Sequence, residues 1–233
     1  MTVKIRQLKG VIVTMPTITD QMKQQAEPLW QASFNHPFIK ELSTGQLPME
    51  EFRYYLKQDR YYLQNFSTLH GKIADQIKDQ SIKKFLYAGA TGLNDSEKDV
   101  RTEFFQQLAI TPAEIRQTPM APNAYNYVSH MYHELYVGSP RRACAALLPC
   151  YWLYNDLGKQ LINNGSPVKI YQEFIETYDS PEFTEATNTM ISIVDQLGES
   201  AEPDEQKAMV TAFVRSSYYE LHFWEMAYEE QKW

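Results

Sequence analysis

Residues 52–69 read FRYYLKQDRYYLQNFSTL. Within them Phe52, Tyr55, Leu56, Asp59, Tyr62, Leu63, Phe66 and Leu69 recur at steps of three and four. That period lays side chains along one stripe of an α-helix, whereas a strand would need alternation. The stripe is apolar and aromatic except at Asp59, so it faces a core and carries one carboxylate in with it. Phe213, Tyr219, Leu221, Phe223 and Trp224 repeat the pattern less strictly near the other end of the chain.

Between these two segments proline sets the punctuation. Leu47-Pro48, Thr111-Pro112, Ser139-Pro140, Ser166-Pro167, Ser180-Pro181 and Glu202-Pro203 each offer proline as a first helical residue, where its missing N–H costs nothing. Four of these prolines follow a Ser or Thr able to cap, and Thr111 with Glu114 has the spacing of a capping box. No alternating run with a hairpin turn stands out, and Asn164-Gly165 fits a helix C-cap. The pattern predicts helices near 18–34, 36–44, 48–79, 80–109, 112–117, 121–137, 140–164, 167–178, 181–199 and 203–230. The fold class is all-α, a multi-helix bundle. Residues 1–20 read as an N-terminal extension and residues 21–233 as one helical domain, the size a chain of 233 residues supports.

Charge and composition exclude several function classes. A net charge of -7, with Arg141-Arg142 the densest basic pair, repels phosphate backbones, so no nucleic-acid partner is expected. No apolar run approaches the ~18 residues of a membrane span, and the stretch VIVTM at residues 11–15 is too short for a signal peptide. A cytosolic chain without membrane contact follows, and its two cysteines, Cys144 and Cys150, are expected as free thiols. The 31 aromatics, 16 of them Tyr, suit a pocket lined by flat rings with polar tips.

In a helical bundle the informative residues are ionisable groups on core-facing stripes. Asp59 has Tyr55, Tyr62 and Phe66 on its face, and its alternative role is a structural hydrogen bond to tyrosine hydroxyls. Glu220, within SSYYELHFWEMAY, has Phe223 and Trp224 one turn on; its alternative is a solvated face. Cys150 lies in LLPCYWLYNDLG, residues 147–158. A cysteine in an apolar helix is usually inert packing, but Pro149 denies the Ala145 carbonyl its helical donor, and such breaks often sit at cavities. Tyr154 shares the cysteine's face one turn later. Cys144 has neither feature and reads as core.

The five histidines are His36, His70, His130, His133 and His222, and none has an acid three residues before it, as a bundle di-iron site would require. His130 and His133 could share a face, but two imidazoles make half a site, so no metal is expected. Gly-rich phosphate loops and Gly-x-Ser-x-Gly elbows are also missing from the sequence.

Six stretches, SFNHPFIKEL, LPMEEFRYYLKQDRYYL, NAYNYVSHMY, ALLPCYWLYNDLG, IYQEFIETY and SSYYELHFWEMAY, together resemble the thiaminase II (TenA) family in order and spacing, from about Glu27 to Tyr228. The resemblance implies a heme-oxygenase-like bundle without heme, commonly a homotetramer, with no cofactor. It implies hydrolysis at the methylene on C5 of a 4-amino-2-methylpyrimidine. The substrates would be thiamin or the aminomethyl pyrimidine salvaged from degraded thiamin, the latter giving hydroxymethylpyrimidine and ammonia. Carried onto this chain, Cys150 is the nucleophile, Glu220 the acid/base and Asp59 the pyrimidine anchor. Tyr62 would tune the thiol, and Tyr127, Tyr154, Tyr178 and Phe223 would line the pocket. The segment before Thr19 and GLNDSEKDV at residues 92–100 carry nothing over. The rivals are a pyrimidine-binding or regulatory protein without turnover, which would not need Cys150 and Glu220 together, and a redox or metal enzyme. Preference between leaving groups depends on pocket volume rather than on motif residues.

Overall fold

The computed structural model describes residues 5–8, 11–14 and 16–233, with side chains over residues 16–92 and 102–233. Its described helices are α1 (Ile18–Phe34), α2 (Pro37–Thr44), α3 (Met49–Gln76), α4 (Gln80–Gln107), α5 (Pro112–Gln117), α6 (Pro122–His133), α7 (Pro140–Leu161), α8 (Lys169–Asp179), α9 (Pro181–Glu199) and α10 (Pro203–Tyr228). The all-α bundle expected from the 3.6-residue period is the fold observed. Among the described residues no helix is long and apolar enough to cross a membrane.

Several boundaries differ from the sequence reading for local reasons. Two short strands precede the bundle, β1 (Ile5–Leu8) and β2 (Val11–Thr14), paired antiparallel with Ile5 opposite Thr14 and Leu8 opposite Val11. The β-branched run Val11-Ile12-Val13-Thr14 favours that state, and too few residues alternate for the pattern to announce it. The segment expected as one helix over 121–137 ends at His133 and continues as a five-residue π-helical turn, Glu134–Gly138. Ser166-Pro167 does not start a helix: α8 begins two residues later, at Lys169, while Ser166 Oγ donates to the Leu42 carbonyl at 2.8 Å. Thr111 does cap Glu114 N–H at 3.1 Å, but Glu114 turns its carboxylate to Arg53 and Lys57 of α3 at 2.8 and 3.0 Å. The reciprocal capping box is made at α1 instead, by Thr17 and Asp20.

The core stripe of α3 is buried as its period required, with Phe52, Tyr55, Leu56 and Leu69 fully inside. The largest helix contacts are α7 with α10 and α3 with α4; α1 closes over α10, and α9 over α7. Aromatic rings hold α2, α3 and α10 together. Trp224 stacks on Tyr55 at 5.4 Å and on Phe38 at 5.4 Å, and Phe52 meets Phe174 of α8 edge-on at 5.4 Å. Such pairs contribute about 0.5–1.5 kcal/mol each beyond their buried area. At the α7–α8 junction Gly158 lets backbones touch: a Cβ there would lie 2.7 Å from the Tyr178 carbonyl carbon.

Candidate functional site

Three helices converge on the polar residues that broke the core pattern. From α3 come Asp59 and Tyr62, 4% and 3% exposed, and from α10 comes Glu220 at 2%. Burying a carboxyl disfavours its charged form. For Glu220 that effect, reinforced by the negative charge of Asp59, outweighs a hydrogen bond from Tyr127 and raises the pKa to about 8. The Tyr127 hydroxyl on α6 donates to Glu220 Oε1 at 2.8 Å. Glu220 therefore holds a proton at neutral pH inside an apolar wall, as a general acid must.

Cys150 enters from α7, half-buried, one residue after Pro149. Cys150 bears on two phenols: burial is the largest cause of the raised pKa of Tyr62, with Cys150 next, and Tyr127 is raised by burial, then Glu220, then Cys150. The Tyr62 ring lies 4.8 Å from Tyr127 and 5.8 Å from Phe223, and its hydroxyl faces Met131 Sδ at 3.9 Å. Cys144, two turns earlier, is sealed in the core, and burial pushes its thiol up to about 12. The two cysteines thus differ as expected: one borders a polar cluster and the other is inert packing.

Tyr154 closes another side. Its hydroxyl lies 3.0 Å from that of Tyr55, its ring 4.7 Å from Tyr178 and 5.2 Å from Trp224. Burial, and then the neighbouring Tyr55, Glu220, Tyr178 and Asp59, hold its pKa well above the ordinary phenol value. The charge of Asp59 thus bears on both Glu220 and Tyr154. Ring contacts and a hydrogen bond link Tyr62, Tyr127, Phe223 and Glu220, and Tyr154 with Tyr178, while Asp59 and Cys150 join them through their charges, Asp59 acting on Glu220 and Tyr154 and Cys150 on Tyr62 and Tyr127. A shallow depression along α9, lined by Thr184, Glu185, Asn188 and Ser192 among others, shares none of them.

Sequence reasoning missed the residues that hold this cluster in place. Gln58 is buried and clamps the entry to α6, donating to the Pro119 carbonyl at 2.9 Å and accepting from Ala121 N–H at 2.9 Å. It satisfies the N–H of the N-cap residue Ala121 from outside the helix and ties the start of α6 to α3. Nothing in the local pattern of a lone glutamine signals this. Tyr55 and Trp224, already placed beside Asp59 and Glu220 by their helical spacing, support Tyr154 through its hydroxyl and its ring. His130 is buried while His133 is exposed, so the two do not share a site. Among the described residues no three of His, Cys, Asp and Glu gather as a metal would require.

The sequence profile of the TENA/THI-4/PQQC family matches residues 23–230. A Bacillus subtilis protein named aminopyrimidine aminohydrolase is 35% identical over 215 residues, 92% of this chain and 91% of that protein. Among solved structures, a TenA homologue from P. horikoshii OT3 superposes with a TM-score of 0.83 at 27% identity, covering 92% of this chain and 99% of the other. A domain of unknown function with a heme oxygenase-like fold from Shewanella denitrificans shares the architecture, with a TM-score of 0.66 at 14% identity over 93% of this chain and 94% of its own.

Proposed function

The chain belongs to the TENA/THI-4/PQQC family, and from that premise we propose that it is an aminopyrimidine aminohydrolase of the thiaminase II kind. Its substrates would be 4-amino-5-aminomethyl-2-methylpyrimidine and thiamin, and its product 4-amino-5-hydroxymethyl-2-methylpyrimidine. The observation that carries the reading is Glu220, a sealed carboxyl at 2.8 Å from the Tyr127 hydroxyl whose pKa of about 8 keeps a proton near Asp59, with Cys150 acting on the same Tyr127. The name borne by the relative at 35% identity supports it.

Each residue has a chemical task in this reading. An aminopyrimidine presents a ring nitrogen beside an exocyclic amine, and with that nitrogen protonated the amine and the ring N–H both donate to the Asp59 carboxylate in two parallel hydrogen bonds. The Cys150 thiolate adds to a ring carbon, and Glu220 delivers its proton to a ring nitrogen, leaving the ring electron-rich. That electron pair expels the group on the C5 methylene, as ammonia after protonation or as the neutral thiazole. Water adds to the exposed methylene and gives its proton to the Glu220 carboxylate, the thiolate departs, and aromaticity returns as the ring nitrogen releases its proton to solvent. Tyr62 lies close enough to Cys150 to stabilise the thiolate, while Tyr127, Tyr154, Tyr178 and Phe223 enclose the ring. The steps need neither a metal nor an organic cofactor.

The same reading treats residues 21–233 as the catalytic unit, with 1–20 as an extension outside the matched span. It includes a homotetramer and a cytosolic role in thiamin salvage. The test is ammonia release from the aminomethyl pyrimidine, with thiamin cleavage and light scattering alongside. Wild-type turnover that Cys150→Ser abolishes is the expected result; binding without turnover would favour a pyrimidine-binding protein.

A further inference from the structure

Tyr151 follows Cys150 on α7, and its hydroxyl lies 2.7 Å from His70 Nε2 on α3. His70 Nδ1 lies 2.8 Å from the Phe66 carbonyl oxygen. A carbonyl only accepts, so Nδ1 bears the hydrogen; in a neutral ring Nε2 then accepts, and the Tyr151 phenol is the donor. Burial keeps the ring neutral, lowering its pKa to about 4. The imidazole is tightly held. Phe66 packs edge-on at 4.6 Å, and a Cβ added at Gly89 of α4 would come within 3.1 Å of His70 Cδ2. On its other side, the Tyr151 carbonyl accepts from Thr187 Oγ1 of α9 at 3.3 Å.

This anchorage directly follows a break in the helical ladder of α7. Pro149, inside the helix, has no N–H to give the Ala145 carbonyl, so one ladder bond is missing from the turn that leads into Cys150 and Tyr151. Phe66, whose carbonyl orients His70, also stacks on Tyr62 at 5.4 Å. The contacts that locate Tyr151 therefore share a support with Tyr62, the phenol on which the charge of Cys150 bears.

We infer that the Tyr151–His70 hydrogen bond is a positioning device for Cys150, replacing the lost helical bond with a tie to α3 that sets the direction of the thiol toward the site. His70 and Tyr151 act through the cysteine and touch no substrate. The inference rests on the proposed role of Cys150 as nucleophile. Sub-ångström placement matters at such a centre, because misplacement of a reacting atom by about 1 Å costs on the order of a hundredfold in rate.

The experiment compares Tyr151→Phe, His70→Phe, the double variant and His70→Gln in the full chain. It measures kcat and KM for the aminomethyl pyrimidine, the rate of Cys150 alkylation by iodoacetamide, and Tm. Tyr151→Phe is expected to lower kcat about five- to tenfold with KM within about twofold, the rate equivalent of one hydrogen bond, and to change the alkylation rate several-fold. The double variant should be no worse than either single one, and His70→Gln, which returns an acceptor, should recover most of the loss. Wild-type kcat and alkylation rate in Tyr151→Phe, even with a lowered Tm, would overturn the inference and leave the pair as packing; that conservative variant decides the matter should His70→Phe not fold. If Cys150→Ser retains turnover, the nucleophile assignment has failed, and the alkylation rates alone then decide whether the pair positions the thiol.

Discussion

The Tyr127 hydroxyl donates to Glu220 Oε1 across 2.8 Å, joining α6 to α10 where both side chains are sealed from solvent. The bond opposes burial: it stabilises the carboxylate, and without it the carboxyl would hold its proton more tightly still. Tyr127→Phe should therefore move the limb of the pH–rate profile near pH 8 upward. A limb that stays in place would detach the Tyr127–Glu220 pair from the proton transfer.

Glu220→Gln keeps the shape of the side chain and cannot exchange a proton. Turnover should fall by about 10²–10⁴ with pyrimidine binding retained, and the limb near pH 8 should disappear. Stability supplies a second readout. The folded pKa of about 8 lies above the ordinary glutamate value of 4.5, so the unfolded chain releases this proton first and the fold loses stability as pH rises from about 4.5 to about 8. The glutamine variant escapes that loss, so its Tm relative to wild type should climb across the same window and level off above it.

Cys150→Ser should abolish turnover with helicity and Tm nearly unchanged, since a serine hydroxyl fills the space and is scarcely ionised at neutral pH. Cys144→Ser is the control. Its thiol is sealed at a pKa of about 12, so the substitution should lower Tm by burying a hydroxyl and leave turnover close to wild type. Equal loss of activity in both would displace Cys150 from the centre.

Asp59→Asn should raise KM and depress kcat together, because the amide keeps one acceptor and loses the charge that favours a protonated ring. Removing a charge-assisted pair costs roughly 1.5–3 kcal/mol. Calorimetric titration with the pyrimidine checks this, and unchanged affinity would remove Asp59 from the binding edge.

How far the sequence alone could reach depended on whether the information was local. The stripe through Phe52, Asp59 and Phe66 and the prolines at 112, 140, 181 and 203 carry their signal within a few residues, so helix positions and the buried acids could be read directly. The π-helical turn Glu134–Gly138 could not, because no local pattern marks it; its buried Glu134 lies 3.7 Å from Arg215, a residue distant in sequence. Gln58 likewise looks like any polar helix residue until the 119–121 segment folds over it. Cys150, Asp59 and Glu220 sit on helices distant in sequence; periodicity singled out the two acids and Pro149 the cysteine, while only the family resemblance implied that they meet.

Gly158→Ala tests the wall of the site rather than its chemistry. The new methyl would press on the backbone of Tyr178 and Asp179, at 2.7 and 2.9 Å, where no side chain can yield. Overpacking of this kind costs about 1–3 kcal/mol. Tm should fall and KM rise as Tyr178 shifts away from Tyr154, with the limb near pH 8 unmoved; a lower Tm with unchanged KM would exclude Tyr178 from substrate contact.

The ring ladder described for the core also makes the protein its own optical reporter. Trp224 lies 5.4 Å from Tyr55 and 5.2 Å from Tyr154, close enough to collect the excitation those phenols absorb. Trp30 and Trp152 lie elsewhere, around the Lys23 ammonium at 4.4 and 4.5 Å, and Trp233 is exposed. A flat heterocycle entering beside Tyr154 would therefore quench one indole of four, and occupancy could be followed in unlabelled protein by its emission before any bond is broken.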